Sequence, residues 1–288
     1  MRALFANLRA RLVLLVEAIS AQPVADDACP RHRVPEDKQL AFGLEVNPMQ
    51  LYFIRHGQSA NNALYDRTGS WSGRSHDPEL TDIGKRQAEY LARFLRQANP
   101  GASTNGWDPH NVSGFDITHL YTSLMIRAVQ TGSIVAEALG LPLIAWEDIH
   151  ENGGLYVDDE ETEEKIGQAG LNRAEFAARF PNLVLPDRLG EAGWWNRPPE
   201  DEEQWPIRAR RFLSDLTVRH GSTNDRVAVI SHGGFYRQFL LALLNAPVAD
   251  GHWFLLNNTG ITRIDFNEGN VGLVYANRVD FLPRDLIT

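Results

Sequence analysis

Arg55-His56, Arg127, Glu151 and His232 are residue types that can together grip an anion, attack it and move a proton, and each follows a short apolar run. Two guanidinium groups offer planar forks that match phosphate oxygens, an imidazole can hold an anion or attack phosphorus with a neutral ring nitrogen, and a carboxyl can pass a proton. A phosphoryl transition state spreads charge over three equatorial oxygens, so such a set could lower its energy mainly by position and electrostatics. Taken singly, Arg55 or Arg127 reads equally well as a structural ion pair, and His232 as a core histidine. Their recurrence after four separate strand-like runs is what groups them.

Those runs are 50–54 (Gln-Leu-Tyr-Phe-Ile) before Arg55-His56-Gly57, 117–122 before Ser123 and Arg127, 143–146 before Glu151, and 226–231 before His232-Gly233-Gly234. Ligands of open α/β sheets gather outside the carboxyl ends of the strands, so four such ends can converge on one site. Helices are expected from Thr81 to about Gln97, where Ala88, Leu91, Ala92 and Leu95 make a stripe, and from Met125 to Leu139, ending at Gly140, with Arg127 in the first turn. Further helices are expected over 173–180, 207–219 and 235–244, and a closing hairpin over 260–266 and 271–275. Asn61 to His76 and Asn99 to Phe115 read as loops. Residues 152–205 are too long for an ordinary connection and read as a cap over the site. Within them, Asp158 to Glu164 reads as a solvated acidic run. Trp194, Trp195 and Trp205 read as packing residues, with an aromatic wall for hydrophobic esters as the alternative. Glu147 and Asp148 compete with Glu151 for the acid/base role. The fold expected is a three-layer α/β/α sandwich with a largely parallel central sheet and an inserted cap segment.

With 37 acidic residues against 28 basic ones, a net charge of −9 and no cationic run, the chain lacks the electrostatic footprint of a nucleic-acid binder. A single cysteine, Cys29, excludes an intrachain disulfide framework and a CxxC metal site, and the remaining histidines show no metal spacing. No apolar stretch approaches the roughly 20 residues of a membrane span. Residues 1–48 read as an N-terminal extension ahead of a domain over 49–288. Arg2, Arg9 and Arg11 before the run 12–19 have the outline of a signal peptide, but Glu17 interrupts it, so a cytoplasmic chain is expected. Met49 as the native start is a third reading.

Arg55-His56-Gly57-Gln58-Ser59 with Asn62, Asp77-Pro78-Glu79-Leu80-Thr81 with Gly84 and Gln87-Ala88, Ser123 with Arg127-Ala128 and Gln130-Thr131, and Ser231-His232-Gly233-Gly234 occur in that order. The series resembles the histidine phosphatase superfamily, also called the phosphoglycerate mutase-like family, over residues 50–275. The resemblance implies a nucleophilic His56, phosphate binding by Arg55, Arg127 and His232 with a minor contact from Asn62, and an acid/base carboxylate on Glu151. It implies no metal and no cofactor, and a small-molecule phosphomonoester as substrate. Gln58 stands where phosphoglycerate mutases of the family carry Glu, and the residues after Glu151 depart from theirs. Both point to a phosphatase acting through a phosphohistidine. A phosphomutase of the same fold and a catalytically idle relative that binds a phosphorylated ligand or protein are the alternatives. Oligomeric state is left open.

Overall fold

Two interleaved sets of apolar side chains on each central strand dictate a sheet buried on both faces. In the first strand, β1 (Met49–Arg55), Tyr52 and Ile54 enter one core cluster while Met49, Leu51 and Phe53 enter another, and strand 226–231 divides its Ala228 and Ile230 from Val227 and Val229 in the same way. The computed structural model describes residues 49–99, 101, 108–159, 161–162, 164–247, 253–267 and 270–288. The N-terminal extension expected over 1–48, its signal-like segment and Cys29 lie outside the described residues, and residues from 49 onward fall within one compact unit.

The remaining strands are β2 (His119–Thr122), β3 (Leu143–Ala145), β4 (Tyr156–Asp158), β5 (Lys165–Gly167), β6 (Leu183–Val184), β7 (Arg226–Ser231), β8 (Ile261–Asn267) and β9 (Asn270–Arg278). Among the described residues, seven of the nine strands form one sheet in the order β6-β3-β2-β7-β1-β8-β9. From β6 to β1 every pairing is parallel, and β8 and β9 close the other edge as the expected antiparallel hairpin. The helices are α1 (Ala60–Thr68), α2 (Asp82–Leu95), α3 (Ile126–Leu139), α4 (Arg173–Arg179), α5 (Gln204–His220) and α6 (Gly233–Leu243). α2 packs on α3 against one face of the sheet, and α5 on α6 against the other, which gives the three layers. Among the described residues no helix is long and apolar enough to cross a membrane.

Two expectations are corrected. Residues 61–76 are not all loop, because Ser59 and Asn62 form a reciprocal capping box that starts α1, and Gly69 at φ 68° ends it. No residue of α1 is buried, so the apolar stripe that reveals most helices is missing there. The segment 152–205 is also more than a cap. Its β6 pairs in parallel with β3 and extends the main sheet, while the β4-β5 hairpin stands apart as a separate two-stranded ribbon.

Gly84 shows how tightly the first strand's exit is locked. A Cβ there would lie 2.1 Å from the Gln58 carbonyl oxygen, so the start of α2 approaches the backbone after β1 at a distance only glycine permits.

Candidate active site

Parallel strands bring their carboxyl ends to one edge, and register decides which residues meet there. Arg55 of β1 is level with Ser231 of β7, so the next residues, His56 and His232, stand side by side with ring centroids 5.1 Å apart. β2 flanks β7 on its other side and ends at Thr122-Ser123, and the Ser123 hydroxyl shares a 2.9 Å hydrogen bond with His232 Nε2. α3 begins just beyond, placing Arg127 in its first turn with Nε donating to His56 Nε2 at 3.1 Å.

His56 is buried, and its ring orientation is fixed by a carbonyl. Nδ1 lies 2.7 Å from the Gly57 oxygen, which can only accept, so Nδ1 carries the proton and Nε2 keeps its lone pair. Burial, then the charges of Arg127 and Arg55, hold the ring well below the usual histidine range, so it is neutral. Its backbone is equally constrained. The His56 carbonyl accepts from Asn258 Nδ2 at 2.9 Å and the Gly57 N–H donates to Thr131 Oγ1 at 3.0 Å. Thr259, which donates its N–H to the Arg55 carbonyl at 3.0 Å, does so at φ 58°, a left-handed conformation that costs a β-branched residue about 1–3 kcal/mol.

The floor is cationic and desolvated. Burial lowers the affinity of Arg55 and Arg127 for their protons, while the Glu151 charge opposes that effect at both and Asp77 does so more strongly at Arg127. Arg55 Nη1 donates to the Leu256 carbonyl at 2.7 Å, but its Nε is buried without a partner, as is His232 Nδ1. A buried guanidinium N–H without a partner, beside an equally unpartnered ring nitrogen, is what an anion would satisfy. His232 is likewise held below the usual histidine range by burial first and Arg127 second.

Glu151 borders the same cleft as Arg55, His56 and Arg127. Its carboxylate accepts from the N–H groups of Asn152 and Phe235 at 2.9 Å each and Gly234 at 3.2 Å, which seats it on the first turn of α6. The peptide before it is fixed by buried Arg208, which donates to the Asp148 and His150 carbonyls at 2.8 Å and pairs with Glu200 through two 2.7 Å contacts. Glu147 and Asp148 do not line this cleft: they pair with Arg188 and Arg211 around a different hollow. Asn62 lines the cleft, with its Oδ1 engaged by Ser59 and Asn258.

Asp77, quoted above only as part of a sequence series, anchors Arg127. Its Oδ1 accepts from Ile126 N–H at 3.0 Å and lies 3.8 Å from Arg127 Nη1. The cue available in sequence was an acidic residue beside a proline, which says nothing about a partner nearly fifty positions away. Asn258 and Thr259 gave no cue at all. Of the three tryptophans read together, Trp195 is fully buried and Trp194 packs against it, whereas Trp205 borders the cleft. In the acidic run, Asp158 pairs with Arg74 at 3.1 Å, while Glu160 and Glu163 lie outside the described residues. At the opposite end of β2, His119, His220 and Asp225 bring one potential ligand atom each within 4.8 Å of one another, a grouping that sequence spacing did not suggest. His220 there already bonds Asp225 and Tyr121, at 2.8 and 3.0 Å.

The sequence model of the histidine phosphatase superfamily (branch 1) matches residues 51–104 and 109–278. A probable phosphoglycerate mutase GpmB of Yersinia pestis is 27% identical over 226 residues, covering 76% of this chain and 86% of that protein. A phosphoserine phosphatase from Entamoeba histolytica, solved with 3-phosphoglyceric acid, superposes with a TM-score of 0.52 at 22% identity, covering 82% of this chain and all of that one. A putative alpha-ribazole-5'-P phosphatase from Escherichia coli gives 0.51 at 20% identity, covering 81% of this chain and 97% of that one. These two likenesses establish the fold.

Proposed function

The chain belongs to the histidine phosphatase superfamily, and on that premise we propose that it hydrolyses phosphomonoesters, without a metal, through a phosphohistidine on His56. One observation carries the reading: a buried, neutral His56 whose Nδ1 proton is committed to the Gly57 carbonyl, leaving the Nε2 lone pair beside Arg127.

In this scheme the ester's phosphoryl oxygens displace the Arg127–His56 contact and take the Arg127 and Arg55 forks and His232, while Asn62 borders the same space. His56 Nε2 attacks phosphorus, the ester P–O bond breaks, and the leaving alkoxide takes a proton from Glu151. Water then attacks the phosphohistidine and gives its proton to Glu151, so the P–N bond breaks and inorganic phosphate departs. Burial helps at each stage, because charge stabilisation by guanidinium is stronger where water is excluded.

The curated relative's name favours a second reading, a phosphomutase that returns the phosphoryl group to another hydroxyl. Phosphate release from an aryl phosphomonoester with excess chelator separates the two. Chelator-resistant release that His56→Ala abolishes supports hydrolysis. On a phosphorylated compound that carries a second hydroxyl, transfer to that hydroxyl without phosphate release supports the mutase. Saturable anion binding with neither activity leaves an idle binder, and normal release from the His56 variant removes the mechanism.

A further inference from the structure

The phosphate floor occupies only the base of the cleft. The whole space is about 750 Å³, inside the roughly 300–1,000 Å³ range of sites that enclose ligands of many heavy atoms. A three-carbon phosphorylated acid would leave most of it empty. Beside polar groups such as Asn61, His76 and Gln238, the remainder carries aromatic and apolar side chains from four separate stretches of chain: Trp71 after α1, Tyr156 in β4, Trp205 in the first turn of α5, and Trp253 with Leu255 before β8.

Several of these side chains face water at unusual cost. Trp253 is 72% exposed, Leu255 83% and Trp71 47%, and Trp71 is held in place by stacking on Tyr65 at 4.5 Å. Contiguous apolar surface on a soluble domain marks a place where something apolar docks. The wall is joined to the floor, since Leu256 accepts the Arg55 Nη1 hydrogen bond. An ester held by Arg55 and Arg127 would therefore project its alcohol along these rings.

Arg74, the rim cation nearest the aromatic wall at Tyr156, is committed elsewhere. Arg74 donates to Asp158 at 3.1 Å and to the Tyr156 carbonyl at 3.0 Å, and its guanidinium lies 3.9 Å from the Tyr156 ring centroid. The Arg237 guanidinium lies 5.4 Å from the Trp253 ring centroid. Lys165 Nζ is 5.1 Å from the Tyr156 ring. Cations placed over ring faces hold those rings in position and leave other surfaces of the wall to a ligand.

From this we infer that the preferred substrates are phosphate esters of alcohols carrying a large, ring-bearing apolar body, rather than short phosphorylated acids. The inference rests on the phosphomonoester reading of the site. Covering about 100 Å² of ring surface at ~25 cal/mol per Å² corresponds to an affinity gain on the order of fifty-fold.

Non-hydrolysable phosphonates separate this inference from the chemistry. Calorimetry would compare methyl, carboxypropyl and phenylpropyl phosphonate on the full chain, and turnover of phenylpropyl phosphate would be followed separately. Phenylpropyl phosphonate is expected to bind at least tenfold more tightly than the other two. Trp253→Ala combined with Trp71→Ala should erase that advantage while methyl phosphonate binds as before; both side chains are substantially exposed, so the variant is expected to fold. Equal affinities, a carboxypropyl ligand binding tightest, or an advantage that survives the double substitution would overturn the inference. A ranked set of phosphonates with no turnover would sink the hydrolytic reading and leave the binding preference standing.

Discussion

Asp77→Asn probes the link between burial and charge beneath Arg127. The Asp77 carboxyl donates nothing to the hydrogen-bond network and receives one bond, from Ile126 N–H to Oδ1, while Oδ2 is buried without a partner. Burial pushes its pKa from 3.8 up to about 7, against the opposing pull of Arg127. Between about pH 4 and 7 the folded chain therefore keeps a proton that the unfolded chain has lost. With more protons bound in the folded state, stability falls as pH rises through that window. Three pH units at ~1.4 kcal/mol each give about 4 kcal/mol across it. Asn keeps the acceptor for Ile126 but does not titrate. His56, His150 and His232, all held below the usual histidine range by burial, act in the opposite direction, but they are common to both proteins and cancel in the difference. Urea unfolding of both proteins from about pH 4 to 7.5 is the assay. The stability of wild type minus that of the variant should decline with rising pH by up to about 4 kcal/mol. Parallel curves, or a difference that grows with pH, would refute the placement beside Arg127 of a carboxyl that burial makes titrate near 7.

Three other substitutions test separate parts of the structure. Glu151→Gln is expected to slow hydrolysis by about 10²–10⁴ for esters with poor leaving groups and far less for aryl esters, which need no proton; equal losses across a leaving-group series would assign the acid elsewhere. Gly84→Ala places a methyl 2.1 Å from the Gln58 carbonyl and should cost about 1–3 kcal/mol or more, an estimate that an unchanged denaturation midpoint contradicts. Arg208→Met leaves Glu200 and two carbonyls without their donor and should cost about 3–5 kcal/mol; a loss below 1 kcal/mol would mean the Glu200 pair is replaced by water at no penalty.

The parallel core was legible because β1 and β7 are continuous apolar runs ending in His-Gly, and a strand buried on both faces has to be written that way. α1 was not, because its start is signalled by Ser59 and Asn62 alone and none of its residues is buried. The choice among Glu147, Asp148 and Glu151 was beyond sequence for a different reason. The three lie within five positions, and the short 3-10 helix Glu147–Ile149, the bonds from Arg208 and the N–H groups at the start of α6 determine which carboxylate reaches the cleft. Asp77 and Asn258 act through partners far along the chain, which no local pattern encodes. The tryptophans divided similarly: Trp194 and Trp195 are adjacent in sequence and pack on each other, while Trp71, Trp205 and Trp253, scattered along the chain, line one cleft.

The position of β1 has a consequence for how the chain acquires its structure. The strand that carries His56 is the first described strand of the sheet to be synthesised, yet both of its neighbours, β7 and β8, are near the far end of the sequence. Each pairing must close a very long loop before it is rewarded, which is the kind of contact that makes folding slow. His56 cannot meet His232 until β7 has docked, so catalytic competence should emerge in the final refolding phase, together with the last gain of native signal and not before it.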